Sequence, residues 1–176
     1  MNRIRASSIL LAALACCALP HAALADTIHR LDDHSGFYHH QSGWIFPEKI
    51  GEFSLVGIPG DINGTVDVGG YYAREKNGVR TVISVNVYAP DSAEPETRPA
   101  SIKATPVTVE VSQKPKLRAT KVVYKDGKTS RATAYFVDTG PWIVKIRASV
   151  PASARDFGPT LAAFVRDQRW SSLQGR

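Results

Sequence analysis

The sequence predicts an α+β domain, an antiparallel β-sheet meander packed by a C-terminal helix. Three observations carry this expectation. Segments in which apolar and polar residues alternate recur from Gly43 onward, turn residues separate them, and one stripe at helical spacing closes the chain.

The first 25 residues precede that domain. Arg3 and Arg5 stand ahead of ILLAALACCAL, residues 9–19, and Ala23-Leu24-Ala25 follows Pro20. A basic start, a short apolar run and a small-x-small triplet make a secretory signal peptide over 1–25, cut after Ala25. The run is shorter than the roughly 20 residues of a spanning helix, so no transmembrane segment is expected in the mature chain. Lipidation at Cys16 or Cys17 fits less well. The usual Leu is missing three positions before Cys16, and Cys16 itself fills the small-residue position before Cys17. The expectation is a soluble periplasmic or secreted protein. Both cysteines leave with the leader, which excludes thiol catalysis, CxxC redox chemistry and cysteine-ligated zinc.

Charge excludes little more. The full chain has 22 basic and 16 acidic residues, a net +6; losing two arginines with the leader leaves 20 against 16, or +4. That excess suits ordinary solubility and is compatible with anionic surfaces. Nucleic acid is not an expected partner, since no aromatic-basic recognition motif occurs.

Residues 26–42, DTIHRLDDHSGFYHHQS, read as a histidine-rich polar arm. A single domain is expected over 43–172. Trp44, Phe46, Phe53 and Leu55 flank a turn region, and Gly57, Pro59, Gly60, Asn63 and Gly64 mark a second one. Val66, Val68, Gly70 and Tyr72 alternate with Asp67, Gly69 and Tyr71, as in a half-buried strand. Asn77-Gly78 suits the positive φ of a hairpin turn. RTVISVNVYAP then sets Ile83, Val85 and Val87 on one face, with Ser84 and Asn86 on the other. Residues 89–106 hold four prolines and no period, which predicts a long surface connection. VTVEV (107–111), KLRATKVVY (116–124), TSRATAYFV (129–137) and WIVKIRASV (142–150) continue as strands. A type I′ turn is expected at Asp126-Gly127 and another turn at 138–141. Ser153 is placed to cap the final helix, with Asp156 in its first turn. Phe157, Leu161, Phe164 and Val165 form its apolar stripe, and Trp170 anchors its end. Trp44, Phe53, Val85, Ile146 and Phe164 are expected to share one core.

GWIFPEKIGEF, the strand end VNVYAP, and PWIVKIRASVP ahead of a helix and Trp170 resemble a family of small exported proteobacterial proteins. That family carries an N-terminal signal and an FP-x-x-IG-x-F opening. The order of elements also resembles the PsbP-like sandwich. The resemblance covers most of residues 43–170 and rests on aromatic, glycine and proline positions. It implies an exported domain and supplies no function to carry over residue by residue.

Chemistry centres on His29, His34, His39 and His40. Imidazole is a common ligand for zinc, copper and nickel, and Asp32 and Asp33 lie close in sequence. Steps of five between His29, His34 and His39 turn about 140° on a helix. On a strand they reverse the face. Only an irregular loop would bring them together, and His29 is the fourth mature residue rather than the third. The expectation is a mobile arm with these histidines as weak metal candidates, and no tight site. No catalytic residue and no cofactor is assigned. Neither GxSxG nor SxxK occurs. GDINGTVD at 60–67 puts Tyr72 where a calcium loop needs a bidentate acid. Glu48, Glu52, Glu75 and Glu110 fall in turns or alternating strands without an evident cleft. Lys121, Lys125, Lys145 and Arg147 alternate with apolar neighbours and form the candidate binding surface. The expected function is a non-enzymatic binding or accessory protein of the envelope, its partner an envelope or extracellular macromolecule. Metal handling through the histidines, or hydrolysis using the same arm, are the alternatives.

Overall fold

Two antiparallel sheets, one helix and a terminal 3₁₀ turn make up the computed structural model, which describes residues 28–57, 60–61, 67–89, 106–113, 115–152, 154 and 157–173. The small sheet joins β1 (Ile28–Arg30), β2 (Gly36–His39) and β3 (Ile45–Pro47) in chain order. The large sheet uses β4 (Lys49–Ile50), β5 (Phe53–Leu55), β6 (Gly60–Asp61), β7 (Val68–Lys76) and β8 (Val79–Tyr88). It continues with β9 (Val107–Gln113), β10 (Lys116–Asp126), β11 (Ser130–Asp138) and β12 (Ile143–Pro151). Its spatial order is β4-β5-β7-β8-β12-β11-β10-β9, with β6 beside β7. Helix α1 spans Phe157–Arg166 and the 3₁₀ turn Trp170–Ser172. The fold is mostly β-sheet with one C-terminal helix, compatible with the α+β expectation.

Apart from β6, which lies off the main path beside β7, chain order and spatial order part where β8 pairs with β12 instead of β9. Of the connection expected at 89–106, residues 90–105 lie outside the described residues. So do the expected leader at 1–25, Ser153 and Asp156, and most of the 58–66 turn stretch. Asn77 and Gly78 take φ of 53° and 71°, as a two-residue type I′ turn requires. The β10–β11 hairpin differs from expectation. Asp126 pairs with Ser130, so three residues close it, led by Gly127 at φ 76°.

Strand alternation builds the core. Ile83, Val85 and Val87 of β8 share one face with Val144, Ile146 and Ala148 of β12, Tyr135 and Val137 of β11, and Tyr72 of β7. Onto this face α1 lays Phe157, Leu161, Phe164 and Val165, the stripe read from the sequence. Phe164 sits edge-on to Phe53 and Tyr72, with ring centres 5.4 and 5.2 Å away. Trp44, Phe53, Val85, Ile146 and Phe164 all belong to this core. Each buried side chain of this size contributes about 1.5–3 kcal/mol of apolar transfer.

The histidine-rich segment is not the solvated arm that its composition suggests. From Ile28 onward it is the small sheet, with His29 opposite Tyr38, Arg30 opposite Phe37, and Phe37 opposite Phe46. The His39 N–H donates to the Trp44 carbonyl at 2.8 Å, and the Gly43 N–H donates back to the His39 carbonyl at 2.9 Å. Gly43 reaches this geometry at φ 70°. Burial explains the order. Trp44 and Phe46 are fully buried in the common core, Phe37 packs on it, and Trp44 meets Trp170 at 5.3 Å. That apolar area offsets the cost of fixing the segment's backbone.

Candidate functional site

The four histidines separate into three environments. His34 occupies the β1–β2 turn at φ 55°, exposed. His39 is fully buried and lies edge-on to Trp142, 6.1 Å between ring centres. His29 and His40 are exposed and cluster with Tyr38: His29–Tyr38 5.1 Å, Tyr38–His40 6.1 Å, His29–His40 6.5 Å between centres. Cross-strand pairing produces this cluster, which spacing along a single strand does not reveal. Among the described residues no group of three or more His, Cys, Asp or Glu could hold a metal ion.

His39 also brings a nucleophile and a base within reach. Its Nδ1 shares a 2.7 Å hydrogen bond with Ser42 Oγ, which accepts the Trp44 N–H at 3.1 Å. Both side chains are completely shielded from solvent. A hydrolytic dyad needs room for a substrate at the hydroxyl. Here the pair ties the β2–β3 loop to itself, which is a structural role.

The expected basic surface divides between the two faces of the large sheet. Val122 is opposite Ala134 and Ala134 opposite Arg147, while Phe136 is opposite Lys145. Lys145 and Arg147 therefore share the face turned away from α1, together with a second cluster of Val122, Ala134, Phe136 and Tyr124. Lys121 is opposite Tyr135 on the helix-side face, its ammonium 5.7 Å from that ring. Lys125, four residues on, has the same phase. Alternation assigns phases correctly, but neighbouring strands of unlike phase put these four cations on opposite sides.

Nor are the two reverse-face cations a simple anion site. The Lys145 ammonium lies 5.8 Å from the Phe136 ring and the side chain is buried. Arg147 reaches over Ala134 and Ala132, both without exposed area, to the second strand away. There its Nε donates to Tyr124 Oη at 2.9 Å and its guanidinium pairs with Asp126 at 2.7 Å. Burial opposes the charge, but the Tyr124 bond and the Asp126 carboxylate outweigh it and raise the Arg147 pKa. Glutamates are similarly engaged: Glu48 pairs with Arg30, and Glu52 with Arg74 and Lys76. Hydrogen bonds from Lys76 and Arg74 hold the Glu52 pKa below its ordinary value.

The reverse face also carries an exposed apolar row that lies outside the expected basic surface. Val56, Tyr71 and Val82 are 51%, 55% and 38% exposed. The Val56 N–H donates to the Tyr71 carbonyl, Tyr71 is opposite Ser84, and Val82 opposite Ala73, so all three side chains share that face. Through Ser84 the row continues to Arg147. The signal available in the sequence was an aromatic residue, Tyr71, on the polar phase of its strand. A separate open groove of about 230 Å³ lies between the Gly51-Glu52 turn and α1, lined in part by Phe53, Thr160 and Asp167. The chain matches no protein-family model, no curated protein and no solved structure.

Proposed function

We propose that this chain is an exported, non-enzymatic binding or accessory module of the cell envelope. It engages a macromolecular partner through the reverse face of its large sheet. The observation that carries this reading is the contiguous exposure of Val56, Tyr71 and Val82 beside Ser84, Asn86 and the Arg147–Asp126–Tyr124 network. An exposed aromatic and aliphatic patch rimmed by polar groups is the usual composition of a protein-binding surface. The leader-like residues 1–25 and the resemblance of GWIFPEKIGEF and PWIVKIRASVP to exported proteins support the compartment. A macromolecule is favoured over a small ligand, because the patch is a flat strand surface and not a concavity.

Photo-crosslinking in the cell that natively makes the protein tests this. A benzophenone side chain at position 71 or 82 is expected to give one discrete adduct. The same group at Lys116, on another part of the sheet, is expected to give none. Equal labelling at all three positions, or none at 71 and 82, would remove the patch from consideration. Intact mass of the exported form checks the compartment separately. A chain beginning at Asp26 is expected, and a lipid-modified Cys16 or Cys17 would contradict it.

A further inference from the structure

We propose that His29 and His40 form a two-imidazole site for a divalent transition-metal ion, with Cu²⁺ preferred to Ni²⁺ and Zn²⁺. The site lies on the small sheet and does not depend on the partner-binding face.

Register creates it. His29 is opposite Tyr38, and antiparallel partners project to the same side of the sheet. His40 follows Tyr38 by two residues and returns to that side, while His39 between them points into the core. The two imidazole centres stand 6.5 Å apart with 49° between their planes. Two imidazoles that share one ion have centres about 4.5 Å apart at a right angle, about 5.2 Å at the tetrahedral angle and about 6.4 Å when opposed, given metal–nitrogen distances near 2.0–2.1 Å. Both side chains are exposed, so small torsional changes close the difference. The Tyr38 ring, 5.1 and 6.1 Å from the two imidazoles, packs against both and restricts their rotamers.

Preorganisation sets this pair apart from a histidine-bearing arm. Ordering an arm costs roughly 1–2 kcal/mol of backbone entropy per residue. Here hydrogen-bonded pairing and the burial of His39 and Trp44 have already fixed the backbone, so the ion orders two side chains only. Imidazole donors rank copper above nickel and zinc. With two protein ligands the ion keeps positions open to water, which suits exchange and not a closed structural centre.

Calorimetric titration of Cu²⁺, Ni²⁺ and Zn²⁺ into the chelator-treated protein, as the cell makes it, is the test. One Cu²⁺ per chain is expected, bound more tightly than Ni²⁺ or Zn²⁺. His29→Ala and His40→Ala should each weaken Cu²⁺ binding by about tenfold or more, while His34→Ala leaves it unchanged. His29→Gln and His40→Gln should do the same with thermal melts matching the parent, which separates ligand loss from local unfolding. Three results would overturn the site: no binding by the parent, binding that survives both replacements, or loss with His29 alone. The last would indicate a chelate at the amino terminus.

Discussion

The His39 imidazole stands edge-on to the Trp142 indole, with 79° between the planes and 6.1 Å between the ring centres. This contact joins the small sheet to the turn that opens β12, and Ser42 Oγ holds the imidazole in place from the other direction. His39→Ala removes the ring contact, the hydrogen bond and the buried volume together. A loss of about 2–4 kcal/mol is expected from urea unfolding. His34→Ala, at an exposed turn position, should stay within about 0.5 kcal/mol of the parent. Equal effects would mean that the small sheet does not contribute to the cooperative fold.

What the sequence disclosed follows the range of the interactions concerned. Ile83, Val85 and Val87, or Phe157, Leu161 and Phe164, declare their faces through neighbours two or four residues away. The small sheet does not, because β1, β2 and β3 are three or four residues long and too short for a recognisable alternation. Its order comes from burial of Trp44 and Phe46 against residues far along the chain, such as Trp170. The same limit applies to the candidate sites. Lys121 and Lys145 are each on a readable phase, yet only the β10–β11–β12 register shows them on opposite faces. The Val56–Tyr71–Ser84–Arg147 row likewise needs the β8–β12 pairing, which skips three strands in sequence.

Phe164 carries the helix contact. It meets Phe53 and Tyr72 edge-on and is 2% exposed. Phe164→Ala is expected to cost about 3–5 kcal/mol in chemical denaturation. Val79→Ala should cost little, since Val79 is half-exposed at the β7–β8 hairpin. If the two changes were comparable, α1 could not be a fixed part of the core.

Tyr72 makes an alkaline prediction. Burial raises its phenol pKa above the ordinary value, with the Arg169 charge acting weakly in the other direction. An acid whose pKa is higher folded than unfolded contributes stability that is complete below the unfolded value, near 10. That stability is lost as pH rises through the folded value. The hydroxyl oxygen is buried and has no hydrogen-bond partner among the described residues. Tyr72→Phe should therefore be neutral, or stabilising by up to about 1 kcal/mol, at pH 7. It should also flatten the fall of the thermal midpoint above about pH 10. A clear destabilisation at pH 7 would show that the hydroxyl has a partner.

Gly36 is a point of close approach between strands. Beside Ser35 in a polar segment, a glycine reads as a source of flexibility. In the structure it is buried in β2 opposite Pro47, and a Cβ there would collide with the Phe46 carbonyl oxygen and lie 2.9 Å from the Pro47 Cα. Both are backbone atoms, so no side-chain rotation relieves the overlap. The glycine is needed for close approach of β2 and β3. Gly36→Ala should force that pair apart at a cost of about 1–3 kcal/mol, as other overpacked sites do. Because the same pairing positions His39 and the His29–Tyr38–His40 cluster, Cu²⁺ affinity should fall with it although no ligand is changed. Gly127→Ala is the comparison: φ is 76° there, and no atom lies within 4 Å of the added Cβ. Its cost should be that of backbone conformation alone, about 1 kcal/mol, with metal affinity retained. A Gly36→Ala protein as stable as the parent would mean that the β2–β3 approach is looser than described.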